Sequence, residues 1–451
     1  MEYCVKIIGG GLAGSEAALT LAAHEEMSVT LVEMRPTTPT AVHKTDRCAE
    51  LVCSNSFKST KADSAAGMLK SELDALGSFV MSAARQHAVP AGGALAVDRE
   101  AFAADVTKQI ADHPRIILER RECFDVAQEA EGFDALILAT GPLTGDVLAQ
   151  SLQQITGCQH MAFFDAAAPI VMADSLDMTK VFRQSRYEEG AGDYLNAPFD
   201  KDSYDAFIDA LLEAERVIAK DFESKDLFQA CQPIEEIARA GRDAPRFGAL
   251  KPVGLTDPRT GRRPWAAVQL RAEESEGMSY NLVGFQTNLT FPEQQRVFRM
   301  IPGLEDAEFA RHGVMHRNTF LDAPHLLDES LRLSCAESVT SVPVFVAGQL
   351  SGTEGYTEAV RSGLHAALQV WAHLRGVTVP AVPRETVWGA LLHYATDPNT
   401  VDYQPSHVNF GIMPPLDPPI KNKGRRYAAY AERGQQALEH YVLQLRELGI
   451  L

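Results

Sequence analysis

The sequence predicts an α/β fold, in which a doubly wound, Rossmann-like dinucleotide-binding domain is split around an inserted, mixed α/β domain. Three observations carry this expectation. The chain opens with an apolar run, a cluster of glycines and an alanine-rich stretch, "VKIIGGGLAGSEAALTLAAH". A second apolar run, in "FDALILATGPLTG" (133–145), ends in Ala139, Thr140 and Gly141. A third, in "VPVFVAGQLSGTEGYTEAVRSGLHAALQVW" (342–371), leads through Gly348, Gly352 and Gly355 into a helical pattern. The chain has 451 residues, more than one core usually fills, so two domains are expected.

The first element is a strand from Val5 to Ile8, followed by a helix from Leu12 to His24 and a second strand from Val29 to Val32 that ends at Glu33. Gly9, Gly11 and Gly14 fit G-x-G-x-x-G with a strand before, a helix after and an acidic residue about twenty positions on. Each glycine has a physical reason. Gly9 permits a tight turn, Gly11 has no Cβ to block a pyrophosphate, and Gly14 lets the helix pack closely. The pyrophosphate then meets the positive end of the helix dipole, with Gly10, Leu12 and Ala13 completing the loop. Glu33 is placed to accept hydrogen bonds from a ribose diol, and Arg35 follows in "EMRP". Thr140 and Gly141, then Gly348, Gln349, Gly355 and Tyr356, are read as further contacts to a long, folded cofactor. The three stretches together resemble the two-dinucleotide-binding-type flavoproteins, which implies FAD. On that reading residues 1–175 and 325–451 form the FAD-binding domain and 176–324 the insertion.

Within the insertion, "YDAFIDALLEAERVIAKDF" has helical spacing, with Phe207, Leu211, Ala214 and Ile218 on one face. "PWAAVQLRAE" and "YNLVGFQTNL" read as strands. The chain closes on a helical stripe of Tyr427, Tyr430, Leu438, Tyr441, Leu445 and Leu448 that suits packing on its own domain.

Composition narrows the function classes. Apolar residues make up 45% and charged residues 23%, an ordinary globular balance. A net charge of -18 opposes indiscriminate attraction to nucleic acid or anionic membrane, so a polyanionic partner has to meet a local basic patch. "PRTGRRPW" (258–265) and "KNKGRR" (421–426) are the basic runs available. Seven scattered cysteines do not make a secreted disulfide framework. With no leader pattern and no long apolar run, a cytoplasmic protein away from the membrane is expected. No H-E-x-x-H, C-x-x-C or P-loop occurs, so no metal and no nucleotide hydrolysis is expected.

Two segments place thiols where chemistry is plausible. "CAELVCSNSFKS" (48–59) carries Cys48 and Cys53; Cys53 enters a polar turn with Asn55 and is less suited to a core than Cys4 or Cys335. The C-x4-C spacing matches disulfide reductases, but the second glycine motif those enzymes need is missing. Cys231, in "LFQACQPIEEIARAG", precedes Pro233 as the first residue of a helix with Glu235 and Glu236 in its first turn. A helix N-terminus lowers a thiol's pKa. A small buried hydrophobe is an equally good reading of the same residue.

With "GGGLAGSEAA", "CSNSFKS", "VPAGGALAVDREAF", "CQPIEEIARAG", "ALKPVGLTDPRTG", "VMHRNTFLDAP" and "AGQLSGTEGYTEA" in order, the chain closely resembles the folate- and FAD-dependent tRNA (uracil-5-)-methyltransferases. The likeness spans nearly the whole sequence. It implies methylation of a T-loop uridine in tRNA, with 5,10-methylenetetrahydrofolate as one-carbon donor, FAD as carrier and NADH or NADPH as reductant. It further implies Cys53 and Cys231 as the working thiols, Cys231 toward the uracil and Cys53 toward the flavin, with the roles exchangeable. His316 and Arg317 are the residues placed to meet the folate, by ring stacking and by pairing with a carboxylate. A structural turn would explain those two side chains equally well. A flavin-dependent modifier of the wobble uridine, a disulfide reductase and a non-catalytic RNA-binding module with vestigial FAD are the competing readings.

Overall fold

The computed structural model describes residues 2–40, 42–157, 161–187, 192–217, 232–274, 276–400 and 403–451. Its first sheet is five-stranded and wholly parallel, in the spatial order Val344–Val346, Ala135–Leu138, Tyr3–Ile8, Met27–Glu33, Ile116–Arg120. The first strand is central. The chain steps outward from it on one side, then returns to its other side with Ala135–Leu138, which makes a topological switch point between the two. Val5, Ile7, Val29, Leu31 and Leu136 are fully buried, as expected of strands covered on both faces. The helix Leu12–Ala22 packs against the long helix Tyr356–Arg375, so the two ends of the sequence share one core.

A small antiparallel sheet of Ser56–Ser59, Ala94–Val97 and Ala88–Val89 stands beside this core and carries the "CSNS" segment. The second core draws on residues from Ala168 to Phe309 under a six-stranded sheet ordered Phe182–Arg183, Leu195–Phe199, Ala266–Ala272, Ser279–Leu282, Ile170–Met172, Phe309–Arg311. Its chain-wise first strand, Ile170–Met172, thus precedes residue 176 and its last ends well before 324. The helix Lys201–Glu213 packs on that core through Phe207 and Leu211, and Ala214, its C-cap, is buried; Ile218 lies outside the described residues. The two domains are joined through an antiparallel pair, Met161–Ala166 with Met315–Phe320.

The closing helix, Lys423–Glu447, buries Tyr430, Leu438, Tyr441 and Leu445 against the first domain. Leu448, the C-cap of that helix, is exposed instead. Cys4 is also exposed: it sits at the start of the central strand, where its N–H donates to Asp134 Oδ2 at 2.8 Å, outside the covered stretch of the sheet. Among the described residues, no helix is long and apolar enough to cross a membrane.

Candidate active site

A cavity of about 350 Å³ opens at the switch point. Ligands of open α/β sheets bind in that crevice, beyond the carboxyl ends of the strands. Gly9, at φ +108°, turns the chain there; a Cβ on it would lie 2.3 Å from the Ala139 carbonyl oxygen. A Cβ at position 14 would lie 1.8 Å from the Gly9 oxygen, so glycine is needed for close packing of helix on loop. Gly11 faces open space. It caps the helix Leu12–Ala22 without any side-chain hydrogen bond, leaving the first amides for an anion. Gly355 caps Tyr356–Arg375 in the same uncapped way.

Of the residues expected at a cofactor, Gly9, Gly11, Leu12, Ala13, Glu33, Arg35, Thr140, Gly141, Gly348, Gln349, Gly355 and Tyr356 all line this one cavity, and so does Cys53. Gly10 stands just behind them, its N–H donating to Glu33 Oε2 at 2.8 Å. Glu33 Oε1 accepts from Arg35 Nε at 2.8 Å, and Arg35 reaches on to Glu50 at 3.0 Å. Burial works to raise the Glu33 pKa, but the Arg35 guanidinium outweighs it and holds the carboxyl below its ordinary value. Glu33 is therefore an anionic acceptor at the end of its strand, fitting the ribose role.

Asn55 is placed differently. It is fully buried and spends its side chain on the domain junction: Nδ2 donates to the Val97 and Ala272 carbonyls, each at 3.0 Å, and Oδ1 accepts from Arg271 Nε at 2.8 Å. Cys48 is also fully buried, beside Gly10, and burial pushes its thiol up to about 11. Neither it nor Cys53 is in a disulfide. A reductase mechanism needs that pair to exchange, and a thiol sealed under the glycine loop is poorly placed for it.

Cys231 lies outside the described residues. The helix behind it runs Ile234–Ala240, with Pro233 as its N-cap rather than its first helical residue. Glu235 and Glu236 occupy the first turn, and Glu235 is buried, accepting from the Asn288 N–H at 2.6 Å and the Thr287 hydroxyl at 3.1 Å. His316 and Arg317 stand on the strand Met315–Phe320, their backbones paired with Asp165 and Phe164 in the link between domains; their side chains lie outside the described residues.

Residues given no role from the sequence also line the cavity: Lys58, Arg121, Gln286 and Glu354. Lys58 adopts φ +66°, and its ammonium lies 3.6 Å from the fully buried carboxylate of Glu358. Gln286 comes from the insertion, so both domains furnish walls. The run of two serines, an asparagine and a lysine after Cys53 was the available signal for Lys58; nothing local marked Gln286. Among the described residues, no group of acidic, His and Cys side chains has the makings of a metal site.

The profile of the family described as "Glucose inhibited division protein A" matches residues 4–378. A relative from Geobacter sulfurreducens, named methylenetetrahydrofolate--tRNA-(uracil-5-)-methyltransferase TrmFO, is 51% identical over 443 residues, covering 98% of this chain and 99% of its own. The chain belongs to the TrmFO family. A TrmFO relative from Heliobacterium modesticaldum is 49% identical over 440 residues, covering 98% of both chains. The TrmFO fold here is also that of Aquifex aeolicus GidA, which superposes with a TM-score of 0.69 at 16% identity, over all of this chain and 74% of the other.

Proposed function

We propose that this enzyme forms 5-methyluridine in the T-loop of tRNA, taking the one-carbon unit from 5,10-methylenetetrahydrofolate and reducing equivalents from NADH or NADPH. The observation that supports it most directly is that Cys53 and the dinucleotide loop line one cavity. The residues present fit FAD: two uncapped helix N-termini, an open Gly11 and the anionic Glu33 meet in the cleft. FAD bound there supplies the carrier and reductant for the transferred carbon.

The protein's own part is to hold and activate the pyrimidine. Carbon 5 of uracil is a weak nucleophile. A thiolate adding to carbon 6 makes carbon 5 enolate-like, so that it bonds to the electrophilic methylene. Loss of the carbon 5 proton expels the amine that carried that carbon and leaves an exocyclic methylene, to which a hydride equivalent from NADH or NADPH adds as the thiolate departs and the ring is restored. Cys231 is assigned this addition and Cys53 the thiol on the cofactor side. The base has to leave its stack to be reached on both faces. His316 and Arg317 are assigned to the folate. Lys421, Lys423, Arg425 and Arg426 cluster around the exposed start of the final helix and are assigned to tRNA phosphates, a local exception to the net charge of -18.

The test is to incubate the purified enzyme with unmodified tRNA, methylenetetrahydrofolate and NADPH and to analyse nucleosides by mass spectrometry. 5-Methyluridine is expected, and it should vanish with Cys53→Ala and with Cys231→Ala. A methyl group drawn from S-adenosylmethionine instead would defeat the proposal.

A further inference from the structure

The Cys53 peptide is held from two sides by two domains. Its N–H and that of Ser54 donate to the Tyr356 phenol oxygen at 2.8 and 3.0 Å. Its carbonyl accepts from Arg311 Nη2 at 3.1 Å. Tyr356 opens a helix of the first domain, whereas Arg311 ends a strand of the second. The sequence separation between Cys53 and Arg311 is 258 positions, so only the folded, docked arrangement brings them together.

Arg311 is an expensive way to hold a loop. It is partly buried, its Nε is buried without a hydrogen-bond partner, and no salt bridge to it is found among the described residues. The carboxylate nearby, Glu273, is already paired with Arg99, so burial of this second cation is only partly compensated. The ionisable groups packed about the segment are Arg99, paired with Glu273 at 2.7 Å, then Arg271, Arg311 and Tyr356. The cavity wall adds Glu33, Arg35, His43, Glu50, Lys58, Arg121, Glu122 and Glu354. Arg99 and Arg311 both lie within electrostatic reach of Cys53, and Arg99 is the one already paired with Glu273.

We propose that Arg311 and Tyr356 are positioning residues for Cys53: together they fix the peptide from which the thiol projects, and Arg311 makes that fix depend on docking of the inserted domain. This rests on the reading that Cys53 works in the reaction. Neither residue is asked to touch the substrate.

The test uses full-length, flavin-loaded enzyme with Arg311→Gln, Arg311→Lys and Tyr356→Phe. The rate of Cys53 alkylation by iodoacetamide is followed against pH by peptide mass spectrometry and normalised to bound flavin. Arg311→Gln is expected to move the profile to higher pH and to slow alkylation about tenfold near neutrality, one unit of thiol pKa. Arg311→Lys, which keeps the charge and a donor, should restore most of it and remains usable if the glutamine variant does not fold. Tyr356→Phe, which removes the acceptor of two N–H groups, should change the rate as well. A wild-type profile for either the glutamine or the phenylalanine variant overturns that residue's assignment, and a lysine variant no better than glutamine reduces Arg311 to packing. Methylation that survives Cys53→Ala would instead sink the reading of Cys53 itself, an outcome to which the alkylation profiles are blind.

Discussion

Gly14 and Gly9 are constrained by backbone, not by flexible side chains, so the loop cannot yield to a methyl group. A Cβ 1.8 Å from the Gly9 oxygen leaves displacement of the helix as the only relief. Gly14→Ala is accordingly expected to purify with little or no flavin, read as loss of visible absorbance, while Gly11→Ala clears its own surroundings and obstructs only the ligand. Glu16 illustrates a different single-residue effect. It is fully buried and accepts from the Ser78 hydroxyl and the N–H groups of Phe79 and Val80. Burial still pushes its carboxyl up to about 7. Its unfolded value is near 4.5, so across that window the folded state keeps a proton that the unfolded state has lost. Stability from this group is therefore present at low pH and falls as pH rises to about 7, by roughly 3 kcal/mol. Glu16→Gln should flatten the fall of Tm over that range; an unchanged slope would show that Glu16 does not carry it.

At the scale of elements, the helix N-termini at the cavity differ from several others in their caps. Ser64, Ser78, Asp98, Asp125, Thr386 and Asn422 each accept from the first turn of the helix they precede. Gly11 and Gly355, facing the cavity, do not. Asp98→Ala should cost about 1 kcal/mol in chemical denaturation and leave flavin binding intact. The strand–glycine–helix units were legible in the sequence because their signals are local: apolar runs, glycines at fixed offsets, and an acidic residue at the end of the next strand. Asn55 was not. It looked like part of a polar turn beside a cofactor, yet its partners Ala272 and Arg271 lie more than two hundred positions away and only the fold supplies them. Cys4 misled for a related reason, since an apolar run does not reveal where its covering helices stop.

For the whole molecule, the site is a property of two cores held together. The first core contributes the glycine loops and Cys53, the second contributes Gln286 and the Arg311 contact. Asn55 ties that junction by hydrogen bonds to Ala272 and Arg271 while also holding Val97 of its own domain. Asn55→Ala strands buried donors and acceptors on both sides and should lower stability by about 2 kcal/mol or more. Calorimetry should show unfolding broadened or split relative to wild type, and a trace that overlays wild type would mean the domains dock without it.

The antiparallel link of Met161–Ala166 with Met315–Phe320 has an evolutionary reading as well. Departure and return of the chain lie side by side, at the roughly 5 Å spacing of neighbouring strands. Some 150 residues can thus be grafted into, or trimmed from, a nucleotide-binding ancestor without opening its sheet. New substrate-facing walls can be acquired this way while the parallel sheet keeps its architecture.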